Sequence, residues 1–81
     1  MIETTYLLTF ELNKDELEIH TDLSGLKTLI DELNKLLKSA EKGLNDHNHL
    51  MTEDWGGNEL TSVAQSGEIL HHVKIYCWNE K

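Results

Sequence analysis

The residues of this chain best suited to chemistry are its histidines. His47 and His49 stand two apart, so on a strand both imidazoles leave the same face, the spacing of a two-histidine metal arm. His71 or His72 adds a third nitrogen if the segment carrying them pairs beside the first, because cross-strand neighbours lie about 5 Å apart. Asp46, Glu53 and Asp54 place carboxylates nearby. No HExxH, paired CxxC or EF-hand spacing completes a ligand set. The expectation is therefore no metal and no cofactor, with His47, His49 and His72 the candidates should an ion bind.

The remaining reactive groups lack their usual companions. Cys77 is the only cysteine, which excludes an internal disulfide, and its phase with Val73 and Ile75 predicts a buried, inert thiol. Ser62 and Ser66 sit in a segment with neither a nucleophile elbow nor a strand-turn-helix context. Gly56-Gly57 has no following lysine or helix to cradle a phosphate. Glu53-Asp54 would need a concave, partly dry site for acid and base work, and a small two-layer domain offers little concavity. The chain is expected not to be an enzyme.

The elements that must position these groups are marked by hydrophobic period. Period-two alternation runs from Thr4 to Leu12, with Tyr6, Leu8, Phe10 and Leu12 on one side, and resumes from Leu17 to Thr21 after the turn formers Asn13 to Glu16. These runs predict a β-hairpin. Leu26, Leu29, Ile30, Leu33, Leu36, Leu37 and Ala40 then recur at three and four residues, predicting a helix near Ser24 to Lys42 with one apolar stripe. Asp22 or Ser24 suits its N-cap and Gly43 the left-handed position after its last turn. His47 to Thr52 reads as a short strand and Trp55 to Gly67 as a loop of about a dozen residues. Ile69 to Trp78 reads as the last strand, with Ile69, His71, Val73, Ile75 and Cys77 on one face and Leu70, His72, Lys74, Tyr76 and Trp78 on the other.

The order predicts an α+β fold, a two-layer β-β-α-β-β sandwich with one helix packed on a four-stranded, mainly antiparallel sheet. A helix about 10 to 12 Å wide cannot cover both faces of such a sheet, so one face stays open, carrying Leu7, Leu70, Tyr76 and Trp78. A homodimer closing that open face is one expected use of it.

Eighty-one residues allow a single domain, 1–81, and a core of marginal size. Fifteen acidic residues against seven lysines and no arginine give a charge of −8. That excess disfavours nucleic acid or anionic membrane as a direct ligand and favours a basic partner. Ser24 to Gly43 holds four lysines against Asp31, Glu32 and Glu41, a charge of +1, so the other residues carry −9. No apolar run reaches the roughly 18 residues of a membrane span, and Met1-Ile2-Glu3 opens without a signal-peptide pattern. A cytoplasmic location is expected.

Two stretches carry a resemblance. His47-Asn48-His49-Leu50-Met51-Thr52, followed by Trp55-Gly56-Gly57, and the strand His71-His72-Val73-Lys74-Ile75-Tyr76-Cys77-Trp78 resemble the immunity protein 32 family of bacterial polymorphic-toxin systems. The hairpin and leucine-striped helix before them are similar in layout. The resemblance brings no catalytic motif. It implies a bacterial protein that binds and silences a cognate protein toxin, a basic nuclease being the kind an acidic surface would suit. The residues expected to touch that partner are Glu53, Asp54, Trp55, Asn58 and Glu59, with His47, His49 and Trp78 adjacent.

Overall fold

A computed structural model describes residues 6–43 and 45–78, so Thr4 and Thr5 of the expected first strand lie outside the described residues. Strands β1 (Leu8–Asn13) and β2 (Glu16–Thr21) form the antiparallel hairpin, Leu8 opposite Thr21 and Asn13 opposite Glu16. Helix α1 spans Leu23–Glu41. Asp22 is its N-cap, its Oδ1 accepting the Gly25 N–H at 2.7 Å, and Gly43 takes φ +86° just past the helix end. Gly25 is needed for a second reason. Its Cα faces the Leu7 carbonyl so closely that an added Cβ would overlap the oxygen, which also accepts the Asp22 N–H at 3.2 Å.

Strand β3 (Asp46–Met51) leads into a 3-10 turn, Glu53–Trp55, and an irregular segment that ends at β4 (Glu68–Ile69); β5 is His72–Cys77. The α+β class is as expected, but the single four-stranded sheet is not. There are two sheets, one of order β2-β1-β4 and one made of β3 and β5, paired antiparallel with Asp46 opposite Cys77 and Met51 opposite His72. The division falls at Leu70–His71 within the expected last strand. Leu70 N–H donates to the Phe10 carbonyl on β1 at 2.8 Å, whereas the His71 carbonyl accepts from Thr52 N at 3.0 Å, just beyond β3. Two partners in different sheets cannot be served by one regular strand. The alternation slips at the break, and Leu70, expected on the open face, packs on the core with Val73 and Ile75.

That core is Leu8, Phe10, Leu50 and Leu60. Leu60 comes from the expected loop, held there because its N–H donates to the Met51 carbonyl at 3.1 Å and Thr61 N–H donates to the Leu8 carbonyl at 2.8 Å. The helix docks chiefly along β3, where Asn48 Nδ2 donates to the Glu32 carbonyl and Ser39 Oγ to Asp46 Oδ2, both at 2.7 Å. This seat buries Gly25, Leu36 and Ala40 and packs Leu29 on the core. Leu26, Ile30, Leu33 and Leu37, expected to share that burial, are 40 to 52% exposed.

One charged side chain among the described residues is wholly buried. Glu11 on β1 points into the 61–67 segment, and each of its oxygens accepts twice. Oε2 takes Thr9 Oγ1–H at 2.6 Å and Gln65 N–H at 2.9 Å; Oε1 takes Ser66 N–H at 2.9 Å and Gly67 N–H at 2.8 Å. Burial alone would push this carboxyl up, but the four donors outweigh it and hold the pKa at about 2, below the ordinary 4.5. Consecutive amides converging on an anion form a nest, here filled by the protein's own carboxylate.

Because the folded pKa of Glu11 lies below its unfolded value, its stabilisation is complete above pH 4.5 and is lost as pH falls toward 2. Glu11→Gln sets an amide donor against N–H donors and should lower unfolding stability by about 2 to 3 kcal/mol at neutral pH, with a shallower decline through the acid window, measured by urea denaturation at several pH values. Gly25→Ala should cost about 1 to 3 kcal/mol in the same assay, since the Leu7 carbonyl must move to admit the methyl group.

Candidate functional site

The register of β3 against β5 sorts their side chains. Asn48 and Leu50 face the helix together with Val73 and Ile75, so His47 and His49 project from the opposite, outer face with His72, Lys74 and Tyr76. On that face the rings make a continuous row. Trp78 stacks on Tyr76 at 5.5 Å between centroids, Tyr76 on His47 at 4.8 Å, His47 meets His49 edge-on at 4.6 Å, and His49 stacks on His72 at 5.2 Å. Tyr76 and Trp78, expected on an open face, are on it, 46 and 65% exposed.

Within the row, His47 Nε2 and His49 Nε2 lie 2.9 Å apart, and the other nitrogen of His49, Nδ1, lies 2.9 Å from His72 Nε2. His49 is thus shared. It can offer Nε2 to an ion beside His47 while its Nδ1–H is oriented by His72, the outer hydrogen bond that metal-ligating histidines use. Partial desolvation, then the neighbouring His47, His72 and Lys74, lowers the pKa of His49 and favours its neutral form. The arrangement supplies two nitrogens and an orienting partner.

The loop residues form a second group. Glu53, Asp54 and Trp55 make the 3-10 turn, with Trp55 N–H and Gly57 N–H both donating to the Thr52 carbonyl at 3.0 and 2.9 Å. Trp55, 56% exposed, lies parallel to His71 at 5.3 Å, and the His71 ring is fixed in turn by Nδ1 contacting Thr52 Oγ1 at 2.8 Å. Tyr6 Oη–H donates to the carbonyls of Asn58 and Glu59 at 3.1 and 2.9 Å. Glu59 is half-buried, and its Oε1 accepts the Met51 N–H at 3.1 Å, so this carboxylate supports the loop.

The eight residues expected to touch a partner therefore divide. His47, His49 and Trp78 belong to the outer ring row. Glu53, Asp54, Trp55, Asn58 and Glu59 sit past the other end of the β3–β5 ribbon, on the order of 20 Å from Trp78 for strands of six residues. His71, one of the two suggested third ligands, belongs with Trp55, apart from the row. Tyr76, which bridges Trp78 to His47, and Lys74 were not among the expected contacts. The alternation of the last strand already placed them in phase with Trp78; what the sequence lacked was the pairing register with β3.

A second cluster escaped sequence reading. Among the described residues, only Glu11, Glu18 and His20 bring three metal-ligating atoms within 4.8 Å of one another. All four donor contacts of Glu11 are already made by N–H and O–H groups, so the pocket is built for donors and fits a cation poorly. Ser66 Oγ donates to Glu18 Oε1 at 2.6 Å and lies 3.3 Å from His20 Nε2, itself 3.0 Å from the same Glu18 oxygen. A hydrolytic triad needs serine and carboxylate on opposite nitrogens of the imidazole. Here both meet Nε2, and the cluster is a hydrogen-bonded clamp on the 61–67 segment. Its donors lower the Glu18 pKa, Ser66 foremost.

No helix among the described residues is long and apolar enough to cross a membrane. Cys77 is free and half-buried, in phase with Val73 and Ile75. Comparison with curated proteins and with solved structures finds no match. A family model, however, matches residues 16–73, which takes in β2, the helix, the stretch from His47 to Gly57 and the first three residues, His71 to Val73, of the second stretch. With a match over that share of its length, the chain belongs to the immunity protein 32 family.

Proposed function

We propose that this protein silences a cognate bacterial toxin by covering it, with no turnover of its own. The observation that carries the reading is the family match over residues 16–73. Surface features agree with it. The ring row and the Trp55 turn offer exposed aromatics of the kind enriched at binding hot spots, and the acid excess lies outside the helix. Glu53 and Asp54, exposed at the turn beside Trp55, are the carboxylates best placed to meet a basic toxin such as a nuclease. Asn58 and Glu59 complete that edge, and His47, His49 and Trp78 form a second contact along the ribbon. An acidic surface draws a basic partner in and raises the association rate at low salt. The protein would act in the cytoplasm of the producing cell, where it has no need of nucleic acid or membrane.

A second reading, a divalent-metal site on His47 and His49, draws on the 2.9 Å approach of their Nε2 atoms. Tag-free protein titrated with zinc would bind one ion per chain with both imidazole resonances shifted; heat-silent titration removes this reading.

The toxin reading expects a gene beside this chain's own to encode a large secreted protein with a toxic C-terminal domain, and it is tested with that domain. Wild-type protein should bind that domain and abolish its toxicity. Glu53→Gln with Asp54→Gln should weaken binding about tenfold at low salt and less at high salt, where the field is screened. Trp55→Ala should cost a further factor of about ten through faster dissociation. Failure of the wild-type chain to bind the domain sinks the reading, and equal affinity of the double variant sinks the acidic-turn version of it.

A further inference from the structure

The helix is wider in apolar surface than the seat it occupies. At about 100° per residue, Glu32 and Ser39 lie on one side of the buried row Gly25–Leu36–Ala40, while Leu26, Ile30, Leu33 and Leu37 lie on the other. The Glu32–Ser39 side is bonded to β3, so the leucine-rich flank is turned toward the hairpin. There β1 and β2 present Leu12, Leu17 and Ile19 on the same face as buried Phe10, Leu12 directly opposite Leu17. These two walls form an apolar trough. Its seven aliphatic side chains are 40 to 56% exposed, and they outnumber the six apolar residues that are buried among the described residues.

We propose that a second copy of this chain fills the trough, giving a two-fold dimer in which the flank Leu26–Ile30–Leu33–Leu37 of each protomer closes the hairpin wall of the other. Three observations favour a second copy over a toxin. The exposed apolar area is on the order of 600 Å² per protomer, at the upper end of the roughly 300 to 600 Å² of the largest patch on a single chain and close to the roughly 800 Å² per partner of a stable interface once a polar rim is added. All seven are aliphatic, and the interfaces of homodimers are more apolar than those of partners that also live apart, which are about as polar as ordinary surface. Charge points the same way. Ser24 to Gly43, which carries the helix wall, has a charge of +1, and the hairpin Leu8 to Thr21 has one lysine against four acidic residues, a charge of −3, so each helix wall meets a hairpin of opposite sign. A two-fold axis lets the same flank serve as ridge and as wall. The open-face dimer expected from the sequence would instead use Tyr76 and Trp78. That surface is broken by Lys74 and three imidazoles, which leaves the trough as the larger uncharged face.

The inference does not rest on the toxin reading, and its experiment contains no toxin. Sedimentation velocity of the full chain from about 1 to 100 µM should give twice the chain mass at the upper end, with a melting temperature that rises with concentration. Ile30→Glu and Leu37→Glu, each at a half-exposed position, should weaken association at least tenfold with an unchanged far-ultraviolet circular dichroism spectrum. Independently of any variant, a mixture of isotope-labelled and unlabelled wild-type protein should show intermolecular contacts between methyl groups of Leu17 or Ile19 and those of Ile30 or Leu37. A wild-type chain that stays monomeric at about 100 µM overturns the proposal, even if a toxin later proves to occupy the trough. So does a dimer that lacks those methyl contacts, or one that survives both glutamates and falls apart on Tyr76→Glu.

Discussion

A carboxylate without access to water sits where the chain leaves the edge of β1 and comes back to it, and much of the fold is arranged around it. Thr61 bonds the backbone of Leu8 and Leu70 bonds that of Phe10, while between them three successive amides of the 61–67 segment turn inward to Glu11. A negative charge in that position is tolerable because donors surround both oxygens; the same donors would be stranded without it. By fixing the segment, Glu11 fixes where β4 begins, and hence where the chain must cross from the β1 sheet to the β3 sheet. Glu18, Ser66 and His20 add an outer layer of hydrogen bonds to the same segment.

The crossing at Leu70–His71 makes the two faces of the molecule unlike. On the outer side of β3 and β5, the side chains form an open row of five rings ending in Trp78. On the inner side, the helix is drawn to β3 by polar contacts at Asn48 and Asp46, and one flank of its leucine stripe is left uncovered beside the hairpin. One face is aromatic and titratable, the other aliphatic and uncharged. Steering by charge and closure by apolar burial thus depend on different residues.

The site was legible in the sequence residue by residue but not as a whole. The i, i+2 spacing of His47 and His49 put both imidazoles on one face, as found. The even-numbered phase of the last strand gathered His72, Tyr76 and Trp78, also as found. That Trp55 would stack on His71 at the far end, and that Glu59 would spend an oxygen on the Met51 amide, had no signal in spacing, because each contact joins residues brought together by a turn of irregular backbone. Glu11 was hidden for the opposite reason. It alternates correctly as an outward-facing strand residue, and only the return of the 61–67 segment over that face makes outward mean buried.

The sequence by itself determined the hairpin, the helix with its N-cap narrowed to Asp22 or Ser24 and its end at Gly43, the acidic balance and its relief along the helix, and the family to which it belongs. These are properties of neighbours along the chain, where side-chain period, capping groups and charge act locally. Only the tertiary structure decided that the last strand divides between two sheets, which flank of the helix is covered, and that the one wholly buried charge among the described residues is Glu11. Each of those turns on a choice among distant hydrogen-bond partners. Such a choice depends on which donors and acceptors the rest of the chain has already used, and no local pattern records it.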